Sequence, residues 1–123
     1  MARTPKDTDF SVKIDDVGTF VFARRTMKDE IAIQVEYARI IDGATPTDWL
    51  GTLAGWLATI KILTVRAPDG WVDLDALDPF EPDTYAKLNA VFGGLTEKER
   101  TFRRGYVAPV EGGRAGAVQD SQV

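Results

Sequence analysis

Residues 10–29 read FSVKIDDVGTFVFARRTMKD, two strand-like runs followed closely by a helix start. Phe10, Val12 and Ile14 alternate with Ser11 and Lys13, the period of a strand with one face buried. Asp15-Asp16-Val17-Gly18 is turn chemistry, with Gly18 free to adopt a positive φ, and Thr19 to Ala23 (TFVFA) reads as the return strand. Thr26-Met27-Lys28-Asp29 then matches the S/T-x-x-D/E pattern, in which a hydroxyl and an acid satisfy free amides at a helix start. A hairpin is marginal alone and needs helices over its apolar face. The stretch therefore predicts an α+β, mainly α fold: an N-terminal β-hairpin, three helices and a flexible C-terminal tail.

In the first helix Met27, Ile31, Val35, Ala38 and Ile41 make a stripe, and Ile33, Tyr37 and Ile40 widen the apolar face. That breadth predicts contact with more than one neighbour. Asp42-Gly43 offers a left-handed stop. Thr45-Pro46-Thr47-Asp48 supplies a capping hydroxyl, a proline for the first helical position and an acid for the third. Trp49, Leu53, Trp56, Leu57, Ile60 and Leu63 follow on one face, and Lys61 is the only charge between Trp49 and Val65. This is the expected most-buried helix, or an interface. Gly51 and Gly55 form a G-x-x-x-G pair, read as room for a neighbouring helix, because the apolar run falls short of the about 20 residues of a membrane span.

Pro68, Asp69 and Gly70 end that helix, and Pro82-Asp83 opens a third, with Tyr85, Leu88, Phe92, Leu95 and Phe102 at three- and four-residue steps. Gly93-Gly94 weakens its middle. The expected organisation is a flexible N-terminus (1–8), a single domain (9–104) and a mobile glycine-rich tail (105–123).

The connection APDGWVDLDALDP (67–79) carries Asp69, Asp73, Asp75 and Asp78. Against the calcium-loop pattern D-x-[DN]-x-[DN]-G-x5-E, a start at Asp73 puts Leu77, Asp78 and Thr84 where a ligand, the glycine and the closing glutamate belong. Nothing near Asp73 and Asp75 predicts the desolvation that would set a catalytic carboxylate pair apart. The segment instead reads as a hinge, its aspartates solvated and Trp71, Leu74 and Leu77 pinning it to the core.

Composition narrows the chemistry further. The 123 residues contain neither cysteine nor histidine, which removes disulfides, thiolate metal sites, thiol nucleophiles and the usual general base near neutral pH. With 44% apolar and 28% charged residues the chain is an ordinary globular one. A net charge of -4 gives no general attraction to nucleic acid or anionic membrane. MARTPKDTDF has no apolar run of a secretory signal, so action in the cytoplasm is expected. No catalytic residue, metal ligand or cofactor is expected.

Three segments, FSVKIDDVGTFVFARRTMKDEIAIQVEYARI (10–40), WLATIKILTVRAPDGWVDLDALDP (56–79) and YAKLNAVFGGLTEKERTFRRG (85–105), resemble the small tail assembly chaperones of long-tailed bacteriophages and prophages. The shared features are the hairpin leading into a T-M-K-D helix start, an apolar helix followed by A-P-x-G-W and an L-D-P turn, and a last helix ending E-K-E-x-x-F-R. The resemblance implies a mostly helical protein that binds the tape measure protein and helps recruit tail tube subunits, with room for self-association. It also implies a second product made by frameshifting near the C-terminus, an arrangement that the glycine-rich tail fits. Tyr37, Trp49, Trp56 and Phe102 are the candidate partner contacts, because aromatics dominate binding hot spots, with Arg100 and Arg103 at the rim. The alternative for each aromatic is core packing. The alternative function is a virion structural or head-tail connector subunit.

Overall fold

The hairpin forms as the opening stretch predicts. In the computed structural model, which describes residues 3–103, β1 (Phe10–Ile14) and β2 (Gly18–Phe22) pair antiparallel, Phe10 opposite Phe22 and Ile14 opposite Gly18. The turn uses two positive φ values, 64° at Asp16 and 133° at Gly18. A Cβ on Gly18 would stand 2.8 Å from Pro68 Cγ, so this glycine also lets the later connection pass close by. All of the expected tail (105–123), and the domain's expected last residue, lie outside the described residues.

The helices follow in the expected order, α1 (Met27–Ile41), α2 (Asp48–Leu63) and α3 (Thr84–Arg100). At the start of α1 both halves of the capping box are made: Asp29 N–H donates to Thr26 Oγ1 (3.3 Å) and Thr26 N–H to Asp29 Oδ2 (3.1 Å). Asp42, left-handed at φ 54°, closes the helix. The cap of α2 is Thr47 rather than Thr45; its hydroxyl accepts from Leu50 N–H at 3.1 Å, and Pro46 stays outside the helix. α3 begins just beyond Pro82, where Thr84 donates its hydroxyl to the carbonyls of Asp78 (2.7 Å) and Glu81 (3.2 Å).

One element is added to the expected set. Immediately after α2 the chain extends as β3 (Thr64–Arg66) and pairs antiparallel with β2, making a three-stranded sheet in the order β1-β2-β3. Ala23 N–H donates to Leu63 O at 2.8 Å across the junction. Three residues are too few to display an alternation, so β3 is invisible to periodicity, although Thr64 and Val65 have the β-branched shape a strand favours.

Phe20, Phe22, Ile60, Leu63, Val91 and Leu95 are almost wholly removed from solvent and join the sheet to α2 and α3. Phe20 and Phe22, two apart and so on one face of β2, stack at 5.4 Å. α1 adds Ile33 to this core, with Tyr37 and Ile40 packed against it. Met27, Ile31 and Val35, expected in the same apolar face, instead point to solvent at 74%, 60% and 64% exposure. The two faces are each apolar, and α2, against which α1 packs, takes the one carrying Ile33.

α3 runs through Gly93 and Gly94 as one helix, and the two glycines differ in what surrounds them. A Cβ on Gly94 would stand 2.7 Å from Ile14 Cδ1 and 3.1 Å from Val12 Cγ1, whereas a Cβ on Gly93 meets nothing within 4 Å. Gly94 is therefore where α3 approaches β1. Gly93→Ala should raise stability by about 1 kcal/mol, the gain in helix propensity. Gly94→Ala should lower it by up to about 2 kcal/mol, because overpacking outweighs the same gain. Urea unfolding of the two variants checks the opposite signs.

Candidate functional site

The aromatic candidates divide between the two ends of α3. At its N-terminal end Trp49, in the first turn of α2, meets Trp56 edge-on at 5.6 Å and Tyr85 edge-on at 5.1 Å. Trp49 and Tyr85 remain 47% and 40% exposed, so this cluster joins α2 to α3 and still presents ring edges to solvent. Tyr37 lies across α1, half-buried, its hydroxyl 3.3 Å from where a Cβ on Gly51 would sit. Gly51 thus gives the close helix approach expected of the G-x-x-x-G pair; Gly55, with nothing within 4 Å, does not.

Phe102 belongs to the turn after α3, where its N–H donates to Glu99 O. Tyr85 and Phe102 are separated by roughly 25 Å along the helix axis, so the six candidates do not form one site. Phe102 meets Phe10 edge-on at 5.0 Å, and Arg24 lies over its ring with the guanidinium carbon 4.2 Å from the centroid. Arg100 and Arg103 line the same cleft, together with Arg24 and Arg25.

Arg25 forms the floor's ionic tie. Its Nε and Nη2 donate to both oxygens of Glu99 (3.1 and 2.8 Å), and Nη1 donates to Glu30 (2.9 Å). Burial alone would lower the pKa of Arg25; the bonds to Glu99 and Glu30 outweigh it and leave the group above its ordinary value. This fork fixes the start of α1 to the end of α3. Within the first eight residues, Arg3 donates to Asp29 Oδ1 and to Ile62 O, both at 2.9 Å. Burial pushes the Asp29 carboxyl up, but the bonds from Arg3 and Thr26 hold it below the usual range.

The larger unassigned feature is the solvent side of α1. Met27, Ile31 and Val35 stand one above another at i, i+4 and i+8, a stripe about 12 Å long. Sequence periodicity finds these residues but assigns them inward. The signal that distinguishes the faces is Asp29, whose capping and pairing role places it on the inner side.

The acidic connection is a hinge of the expected kind. Asp73 caps a single 3-10 turn (Leu74–Ala76) by accepting from Asp75 N–H at 3.1 Å, and Asp78 accepts from Phe80 N–H at 2.9 Å. Leu74 is buried, Leu77 is packed against the core, and Trp71 meets Phe20 edge-on at 6.1 Å. Among the described residues no group of three or more acidic side chains is placed to hold a metal ion. Asp75 is engaged by Lys61 (2.7 Å), which also reaches Glu36 (3.1 Å).

Hydrogen bonds from Arg39, opposed by burial and aided by Lys61, hold the Glu36 carboxyl down to about 2. Because the folded pKa lies below the unfolded value, this contribution is complete above about pH 4.5 and is lost as pH falls towards 2. Glu36→Gln should cost about 1 kcal/mol at pH 7, and the difference from the parent protein should shrink across that window. Urea unfolding between pH 2 and pH 7 checks it.

Comparison with protein-family models, with curated proteins and with solved structures finds no match. Among the described residues no helix is long and apolar enough to cross a membrane.

Proposed function

We propose that this protein is an assembly chaperone of a long-tailed bacteriophage or prophage, acting in the host cytoplasm without enzymatic chemistry. It covers apolar helical segments of the tape measure protein and helps recruit tail tube subunits. The observation that carries this reading is the exposed Met27–Ile31–Val35 stripe, which offers a partner helix a ready-made apolar seam on a rigid, doubly capped helix. The exposed edges of Trp49 and Tyr85 provide a second apolar surface at the α2–α3 end. The sequence resemblance supports the same reading. So does the lack of histidine and cysteine, which leaves ample material for protein binding and little for catalysis.

Co-expression with the tape measure protein of the same phage tests it. The expected result is a several-fold rise in soluble tape measure protein and a complex that copurifies. Finished particles should contain little or none of the chain by mass spectrometry. Presence at fixed stoichiometry would overturn the chaperone reading in favour of a virion structural or head-tail connector subunit.

A further inference from the structure

We propose that the cleft between the β2–α1 connection and the C-terminal end of α3 docks an acidic segment of a partner protein, one in which an apolar side chain is flanked by carboxylates. The cleft has a volume of about 420 Å³, and four arginines and one glutamate line it. That balance is the reverse of the chain's own net charge of -4.

The four arginines are not equivalent. Arg25 is consumed by Glu99 and Glu30 and serves as scaffold. Arg100 shares Glu97 at 3.3 Å, with both side chains 57% exposed, a pair worth little in water and easily exchanged for another carboxylate. Arg24 and Arg103 make no ion pair among the described residues. Three cations thus line the cleft with Phe102, whose ring meets Phe10 edge-on and carries Arg24 over one face. Guanidinium forks match carboxylates two bonds at a time, and the ring gives the segment's apolar side chain a surface to cover.

An acidic peptide fits this site better than a nucleic acid does. A phosphate backbone that extended past the cleft would meet a chain with an excess of acids, including Glu30 and Glu97 at its border. A short acidic segment ends before that repulsion matters. The inference rests on the chaperone reading only for which protein carries the segment.

The test uses the full chain and a fluorescein-labelled peptide of about 12 residues, a phenylalanine flanked on each side by glutamates, titrated by fluorescence anisotropy. Binding should tighten at least about tenfold between high and low salt. Replacing the glutamates by glutamines should weaken it about tenfold or more, and so should the Arg24→Gln, Arg103→Gln double variant, its unfolding midpoint falling only slightly through the lost Arg24–Phe102 contact. No binding, equal binding of the glutamine peptide, unaltered binding by the double variant, or tighter binding of an oligothymidylate of similar length would each overturn the proposal. Charge-dependent peptide binding alongside failed co-expression would overturn the chaperone reading and leave the cleft standing. The opposite pair of results would remove the cleft alone.

Discussion

Ile31→Glu should abolish most of the protein's hold on an apolar helical partner and leave its own fold intact. Ile31 is 60% exposed, so the domain gives up little buried area when it is replaced, and glutamate is at least as good a helix former as isoleucine. A partner helix seated on the Met27–Ile31–Val35 seam would instead have to bury a carboxylate at its centre. Losing a central apolar anchor costs about 2 kcal/mol or more, roughly a thirtyfold fall in affinity. Copurification of the tape measure protein with the variant reads that loss, and thermal unfolding reads the intact fold. Ile33→Ala, on the opposite face of α1 and 4% exposed, should do the opposite: cost about 2–5 kcal/mol of stability while leaving the seam in place. Binding by Ile31→Glu equal to that of the parent chain would place the docking surface elsewhere.

Trp71→Ala should destabilise the domain by about 3 kcal/mol, whereas Asp73→Asn should change stability by less than about 0.5 kcal/mol. Trp71 is half-buried against Phe20, and with Leu74 its side chain fastens the acidic connection to the sheet; the backbone bond from Trp71 N–H to Pro68 O is kept in the variant. Asp73 is exposed, and asparagine can accept the same Asp75 N–H bond. Chemical unfolding measures both. The same experiment with millimolar calcium should leave the parent chain's midpoint unmoved; a strong calcium-dependent rise would return the aspartates to the role of ion ligands.

What the sequence made legible was chiefly local. The hairpin, the Thr26–Asp29 capping box and the Asp42 stop are each decided by residues within a few positions of one another, and the structure repeats them. The failures have long-range causes. β3 exists because β2 needs a partner on its second edge, a demand that no three-residue window expresses. The inward face of α1 is chosen by its packing on α2, where Lys61 also draws Glu36; two apolar stripes on one helix could not decide it alone. The expected cap, Thr45 with Pro46 first in the helix, gives way to Thr47, whose hydroxyl caps a helix that starts two residues later.

The candidate site was legible as a set of residue types and not as an arrangement. Phe102, Arg100 and Arg103 do share one cleft, but Arg24 completes it from a segment almost eighty residues away. Trp49 and Trp56 meet as their spacing on α2 allows, while Tyr85 joins them from α3. Tyr37 serves the α1–α2 contact at Gly51.

The third strand also sets an order of events during synthesis. β1 and β2 are neighbours and can pair as soon as they leave the ribosome, but β2 must wait roughly forty residues more for β3, a separation that slows closure. Until residue 66 emerges, the outer edge of β2 at Val21 and Phe22 stands open on the nascent chain, its backbone donors and acceptors unpaired. Such an edge pairs readily with another chain. A ribosome paused between α1 and β3 would therefore hold a polypeptide prone to join its neighbours on the same messenger, and rapid translation through α2 protects the yield.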